Sequence, residues 1–405
     1  MKKNMKIVAA LMAIGLISPM AYATNGDHMM SVGAQNTALG GTGVANFSGA
    51  ESVWANPAML GKSKGSEVVG GIVLFMPDVT NTGMGGTAAT SDADTNYIPD
   101  VSYSSRINDK MTYGIAMAGI AGMGVDYSTA PATHIMAETA LSIARVSATF
   151  AYNEADYGVG ISPVMQYGSL MITYGGYNAA KDADTDTAFG YALGGYYNVS
   201  PAVTVAASYQ SAIEMSYGTQ LSGAAAGFGL MTGSPFGEGF ADKLEQPAEM
   251  KAGVAYTTGA YTLTADYKTI AWSSAAGYKD YNWEDQNVMA VGVKYAGNGF
   301  WVGAGYNSAS DPIKDTGGAT YRASVINFFN NMMFPAVVED SMTFGGGYEM
   351  SKAMTIEGAV TITPEVTKTV DVSAVMMAGG APAGTYTNTT THSQSAYTVS
   401  LRYKF

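Results

Sequence analysis

Residues 395–405 read Ser-Ala-Tyr-Thr-Val-Ser-Leu-Arg-Tyr-Lys-Phe, and their odd and even positions differ in kind. Ser395, Tyr397, Val399, Leu401, Tyr403 and Phe405 make one face; Ala396, Thr398, Ser400, Arg402 and Lys404 make the other. A period of two with one apolar side is the mark of a β-strand. In a soluble sandwich the apolar side would meet a core, and in a membrane barrel it would meet lipid. The alternation recurs. Tyr261, Leu263, Ala265 and Tyr267 oppose Thr262, Thr264, Asp266 and Lys268, and Val203, Val205 and Tyr209 oppose Thr204, Ser208 and Gln210. An Asp and a Lys on one strand face cannot both meet lipid cheaply, so that face belongs to a lumen.

Working outward, about fourteen such segments are predicted, near 66–77, 95–106, 110–120, 139–152, 155–168, 187–198, 202–216, 248–258, 260–272, 284–296, 299–307, 340–349, 353–363 and 394–405. The connections alternate between short ones, such as Ile107-Asn108-Asp109 and Thr258-Gly259, and long ones near 78–94, 121–138, 169–186, 217–247, 273–283, 308–339 and 364–393. Short inner turns and long outer loops are the asymmetry of outer-membrane barrels. The fold expected is all-β: a transmembrane antiparallel β-barrel of about 14 strands, with both chain ends on the short-turn side.

Residues 1–23 read as a signal peptide. Lys2, Lys3 and Lys6 precede an apolar run from Ile7 to Ile17, which is too short to span a bilayer, and Ala21-Tyr22-Ala23 fits a cleavage site. Removing those three lysines takes the formal net charge from −12 to −15. The acidic balance speaks against nucleic acid, whose phosphates need Lys and Arg. With 50 Gly, 27 Tyr and only 13% charged residues, the composition suits a barrel with aromatic girdles. There is no cysteine, which excludes thiol chemistry.

Between signal and strands lies 24–61, the second of three expected regions, with 62–405 as the barrel. It is neither strand nor amphipathic helix. Gly40, Gly41 and Gly43 sit almost together, and Asn56-Pro57-Ala58 reads as a turn. A compact glycine-rich segment ahead of a closed sheet can fill it as a plug or hatch; the alternative is a disordered leader.

At this point the chain resembles the FadL/TodX family of outer-membrane transporters for long-chain fatty acids and hydrocarbons. The resemblance rests on Leu39-Gly40-Gly41-Thr42-Gly43-Val44-Ala45 followed by Asn56-Pro57-Ala58, on the mature start Thr24-Asn25-Gly26, and on 334–340 with 344–348. Phe405 after Tyr403 also resembles the C-terminal signature read by the outer-membrane assembly machinery. The resemblance implies a monomer in the Gram-negative outer membrane, among lipid and lipopolysaccharide, with the hatch inside. It implies a channel, not an enzyme, with no cofactor. A hydrophobic ligand would be captured by outer loops, held in the lumen, and released sideways through a gap at a kink in the third strand. A nonspecific porin or a surface adhesin is the alternative function.

The residues offer candidates for each step. Apolar outer-loop clusters hold Phe228, Leu230, Met231, Phe236 and Phe240, then Phe328, Phe329 and Met332, with Ile135, Met136, Leu141 and Ile143 around the outer end of the third strand. Such patches mark binding sites, or simply loops packed on one another. The run 325–334 has the i, i+3, i+4, i+7 spacing of a short amphipathic helix. Arg145 is the candidate partner for a carboxylate, with pairing to an acid such as Glu51 as the alternative. The fifth strand has no basic residue between Ser162 and Gly168, where fatty-acid transporters of the family carry one, and this favours a neutral ligand. Gly119, Gly122 and Gly124 are candidates for the lateral gate, because glycines within a strand favour bulges. Asp182, Asp184 and Asp186 lack the glycine and glutamate of a calcium loop. His28, His134 and His392 have no local nucleophile beside them.

Overall fold

A computed structural model describes residues 24–83 and 85–405; the signal-peptide reading falls on residues outside these. Among the described residues, fourteen antiparallel strands close into a barrel. They are β1 (Glu67–Asn81), β2 (Asn96–Arg106), β3 (Met111–Asp126), β4 (Glu138–Asn153), β5 (Tyr157–Thr173), β6 (Asp184–Asn198), β7 (Val203–Gln210), β8 (Glu249–Thr258), β9 (Tyr261–Ile270), β10 (Gln286–Ala296), β11 (Phe300–Ala309), β12 (Asp340–Glu349), β13 (Met354–Asp371) and β14 (Thr387–Lys404). The seam forms where β14 returns to β1, from Lys404 opposite Glu67 to Thr390 opposite Asn81.

Period two decides which way each side chain points. On β14, Leu401 is 47% exposed while Ser400 is 1% exposed. Outward aromatics near the short turns, among them Tyr113, Tyr157, Tyr197, Tyr261, Phe300 and Tyr348, form one girdle.

Four expected boundaries are corrected. The segment 202–216 leaves the wall after Gln210, whose amide bonds Tyr191 O and Ser211 O; Ile213–Ser216 instead pairs with Lys243–Gln246 in a separate ribbon. The third strand runs past Gly119 to Asp126. β13 and β14 extend far beyond 363 and 394, pairing Val366–Asp371 with Thr387–His392 past a bulge. These extensions are rich in threonine and lack a continuous apolar face, which a strand beyond the bilayer does not need.

Residues 24–62 lie against the inward faces of the strands. The segment makes one short helix, α1 (Ala34–Ala38), then a 3-10 turn at Gly49–Glu51, α2 (Ser52–Ala55) and a second 3-10 turn at Pro57–Lys62. Asn56 caps the last of these, accepting from Ala58 N at 3.0 Å, and Pro57 follows where no amide is needed. Wall side chains satisfy the irregular backbone. Thr343 Oγ1 accepts from Gly40 N, and Asp266 Oδ2 accepts from Gly43 N and Val44 N. Gly40 has φ +73° and lies so close to β11 that a Cβ would sit 2.7 Å from Tyr306 O, so only glycine fits there.

Candidate functional site

The long connections fold over the open end as one apolar core. α3 (Gln220–Gly227) and α4 (Tyr321–Phe328) contribute, and α4 passes into a π-turn at Phe329–Met333. The expected amphipathic run thus becomes α4 plus the π-turn. Asn330 on that turn is consumed internally, accepting from Trp283 Nε1 and donating to Tyr281 O. Within this core lies a small pocket of ≈ 30 Å³, lined by Met123, Leu141, Leu170, Leu244, Tyr278 and Trp283 with Leu221, Tyr281, Asn330 and Phe334. Trp272, Tyr278 and Trp283 pack mutually at 4.5–4.9 Å between ring centres. The pocket offers apolar and aromatic surface, and its one amide is already engaged.

Met123 belongs to a part of β3 that has left its neighbour. β2 and β3 pair from Arg106–Thr112 to Asp100–Ala118 and no further. Above that rung β2 stays with β1, while β3 bulges between Gly119 and Ala121 and stays with β4. The wall is therefore unpaired between these two strands. Pro99 stands at the first unpaired position of β2. It has no N–H to give, and proline within a sheet belongs on an edge.

The tip of the N-terminal segment occupies the inner side of this break. His28 bridges Ala121, and Asp27 O accepts from Gly122 N at 2.9 Å. Asp27 Oδ2 accepts from Gln246 Nε2 at 3.1 Å and from the Tyr278 hydroxyl. The His28 ring faces oxygens on both sides, with Nε2 2.6 Å from Gln246 Oε1 and Nδ1 3.3 Å from Glu249 Oε1. Burial pushes the His28 imidazole down, against the pull of Glu249, and pushes the Asp27 carboxyl up. Met29 packs behind Ile98 and Phe75.

Below the tip is a polar cavity of ≈ 100 Å³ whose walls include Arg145, Glu249, Lys251, Asp266, Lys268 and Trp54. Arg145 is 6% exposed; its Nε donates to Gln166 Oε1 at 2.8 Å, and its Nη2 has no partner. Glu51, the alternative partner, binds Arg402 instead.

The sequence candidates divide in two. Leu230, Phe240, Leu141, Ile143, Phe328, Phe329 and Met332 are buried in the apolar core, with Ile135 and Phe228 packed against it. Met136, Met231 and Phe236 are 45–52% exposed on the outside of the loops. Of the gate glycines, Gly119 marks the bulge, Gly122 bonds the tip, and Gly124 lies so close to β4 that a Cβ would meet Thr139 O at 2.2 Å. His134 and His392 bond the carbonyls of Asn81 and Pro335. Asp184 and Asp186 bond Gln220 Nε2 and Ser216 N. Sequence reasoning missed the Trp272–Trp283 aromatic loop and Pro99. Four large aromatics within twelve residues, and a proline inside an alternating strand, were the available signals.

Comparison with known proteins agrees with this architecture. Residues 19–405 match the family described as outer membrane protein transport protein (OMPP1/FadL/TodX). The chain is similar in structure to the Pseudomonas putida toluene transporter TodX (18% identity, TM-score 0.68, covering 93% of this chain and 99% of that one). It is also similar to a Pseudomonas aeruginosa FadL homologue (14%, TM-score 0.69, 94% and 100%) and to the Ralstonia pickettii toluene transporter TbuX (16%, TM-score 0.63, 93% and 99%). A Chlorobium limicola protein described as uncharacterized, from the 5′ region of a phosphoenolpyruvate carboxykinase gene, is 39% identical over 106 residues; the match spans 26% of this chain and about half, 51%, of that relative. The chain belongs to the OMPP1/FadL/TodX family of Gram-negative outer membrane transport proteins.

Proposed function

We propose that the protein carries small neutral hydrophobic compounds, monoaromatic hydrocarbons among them, passively across the outer membrane and releases them sideways into the bilayer. One observation carries this reading: the apolar pocket is lined by Met123, on the stretch of β3 where the wall is unpaired. Exposed Met231, Phe236 and Met136 are the capture surface. Phe228, Leu230, Phe240, Phe328, Phe329, Met332, Ile135 and Ile143 frame the pocket, and Leu141 lines it. A ligand leaving by the break must displace Asp27–Met29, and Gly119, Gly122 and Gly124 give β3 the shape of a gate. Residues 24–61, with Thr24, Asn25 and Gly26 at the tip and Gly40, Gly41, Gly43, Asn56, Pro57 and Ala58 in the body, act as the hatch that keeps polar solutes out. The protein works as a monomer, inserted by the assembly machinery among lipopolysaccharide and lipid.

The free Nη2 of Arg145 favours a second reading, in which the ligand carries an acid head. Arg145 lies four residues along β4 from Leu141, roughly 13 Å at strand spacing. A carboxylate at Arg145 could thus extend a tail of that length into the pocket. The test is uptake by proteoliposomes of toluene and of a long-chain fatty acid. The neutral reading expects toluene uptake that Leu170→Trp, by filling the pocket, abolishes and Arg145→Gln leaves intact. Fatty-acid uptake lost in Arg145→Gln, with no toluene uptake, would install the second reading. Fast sugar influx in liposome swelling would replace both with a porin.

A further inference from the structure

Low in the barrel, one guanidinium joins four parts of the fold. Arg402 on β14 meets Glu51 of the N-terminal segment at 2.8 Å, Glu67 of β1 at 2.6 Å and Glu357 of β13 at 2.9 Å. Asp100 of β2 interacts electrostatically with Arg402 and Glu51. The other cation facing the group is Lys294 of β10, whose Nζ donates to Gln35 Oε1 at 2.8 Å. Four buried carboxylates therefore face two cations. A buried charge without a counter-charge is strongly unfavourable, and a carboxyl group escapes that cost by keeping its proton.

Several oxygens here also lack a donor. Neither oxygen of Asp100 has a hydrogen-bond partner, nor does Glu51 Oε1, nor do the hydroxyls of Ser102, Ser104 and Ser400. All five residues are at most 6% exposed. Asp100 Oδ1 and Ser400 Oγ converge over Gly71, 2.4 and 2.8 Å from where its Cβ would stand. No donor engages either Asp100 oxygen, so an ionised Asp100 would be a buried charge without a hydrogen bond. Burial independently pushes the Glu51 carboxyl well above the usual carboxylate range, with Asp100, Glu357 and Glu67 adding to the push and Arg402 opposing it.

We propose that this cluster is a proton-binding site: Asp100 and Glu51 together hold one proton at neutral pH, and that proton keeps the turn Gly49–Glu51 seated in the barrel. The turn rests directly on the cluster. Ala50 N donates to Glu67 Oε1 at 2.5 Å, and a Cβ on Gly49 would fall 1.9 Å from Arg402 Nη1. When the proton leaves to solvent, Glu51 faces Glu67, Asp100 and Glu357 with only Arg402 and Lys294 to offset them, and repulsion lifts the turn. Gly49 also lines the wide ≈ 620 Å³ vestibule on the short-turn side. A lifted turn joins that vestibule to the lumen and lets ions through.

This inference rests on the N-terminal segment being the plug. The full chain is placed in planar bilayers and ion conductance is recorded from acid to alkaline pH, about pH 5 to 9. A several-fold rise on the alkaline side is expected. Asp100→Asn and Glu51→Gln each remove one negative charge and should hold conductance low throughout. Lys294→Gln removes one of the two facing cations, makes the carboxyls harder to ionise and should move the rise to higher pH, which keeps the idea testable if either carboxyl variant fails to fold. Conductance that ignores pH, an unchanged rise in Asp100→Asn, or a rise that follows sodium concentration instead of pH overturns it. Deleting residues 29–46 tests the plug separately: a leaky deletion variant beside a pH-insensitive parent would sink the proton site alone.

Discussion

His28 forms a single antiparallel bridge with Ala121, on the edge of β3 that β2 has abandoned. An exposed strand edge within a bilayer would leave amides without partners, which lipid cannot supply. The tip supplies part of what β2 withholds, since Gly122 N donates to Asp27 O. The same Asp27 is held by Tyr278, which lines the apolar pocket. Pocket and wall break are thus joined through one residue, so a ligand that shifts Tyr278 changes what holds the tip on β3.

Tyr278→Phe should expose this link. It removes the hydroxyl donor and leaves the buried Asp27 carboxylate with fewer partners, a loss of about 1–3 kcal/mol for a buried group. The expected outcome is faster amide exchange in the peptide spanning Gly119 to Gly124, with the rest of the barrel unchanged. Equal protection there in both proteins would show that the tip does not depend on Tyr278.

Pro99→Val concerns the break itself. Valine restores an N–H and favours the strand. Pairing of β2 with β3 should then extend above Asp100–Ala118 and narrow the opening. Uptake of a hydrophobic compound should slow while its binding persists. Uptake at the parental rate would place the exit elsewhere.

Much of this architecture was legible beforehand. The strand faces followed from period two, because a wall with lipid on one side and a lumen on the other forces alternation at every position. Phe328, Phe329 and Met332 were legible as an apolar cluster because their spacing survives across the end of α4 and the π-turn. What stayed hidden depended on pairing between distant residues. Nothing in the neighbourhood of Arg145 reveals that Glu51 goes to Arg402, 351 positions along the chain. The Thr-rich ends of β13 and β14 carry no face to read, since outside the bilayer neither side must be apolar. Pro99 was readable but lay within an otherwise regular strand, where its meaning depends on which neighbour it faces.

The barrel's outer surface makes a depth-dependent prediction. Val291 points outward at the middle of β10, 50% exposed, while Val205 points outward only a few residues from a short turn. Val291→Arg should cost about 2–4 kcal/mol in bilayer refolding, and Val205→Arg roughly 0–1 kcal/mol, because arginine near the interface reaches water. Measured unfolding in lipid vesicles decides it; equal costs would mean that the two positions lie at one depth.

The last prediction concerns Asn56. Its Nδ2 donates to Val44 O at 2.8 Å and to Gly195 O on β6 at 3.2 Å, and its Oδ1 accepts from Ala58 N at 3.0 Å. One amide thus ties two parts of the N-terminal segment to each other and to the wall. β6 is shaped for it: a Cβ at Gly194 would fall 1.9 Å from Asn56 Oδ1. Asn56→Ala leaves three backbone groups short of a partner, the buried Val44 O and Ala58 N at a cost of about 1–3 kcal/mol each and the half-buried Gly195 O at less, reduced by whatever water recovers. Those groups belong to the segment and to one carbonyl of β6, which is paired on both sides, so the loss should fall on the docking of the segment and not on barrel closure, which the β14–β1 seam maintains. The expected phenotype is a barrel that still shows heat-modifiable gel mobility but conducts small ions in bursts. Deleting residues 29–46 should make that conductance permanent. Recordings as quiet as those of the parent from both variants would mean that the segment does not close the lumen.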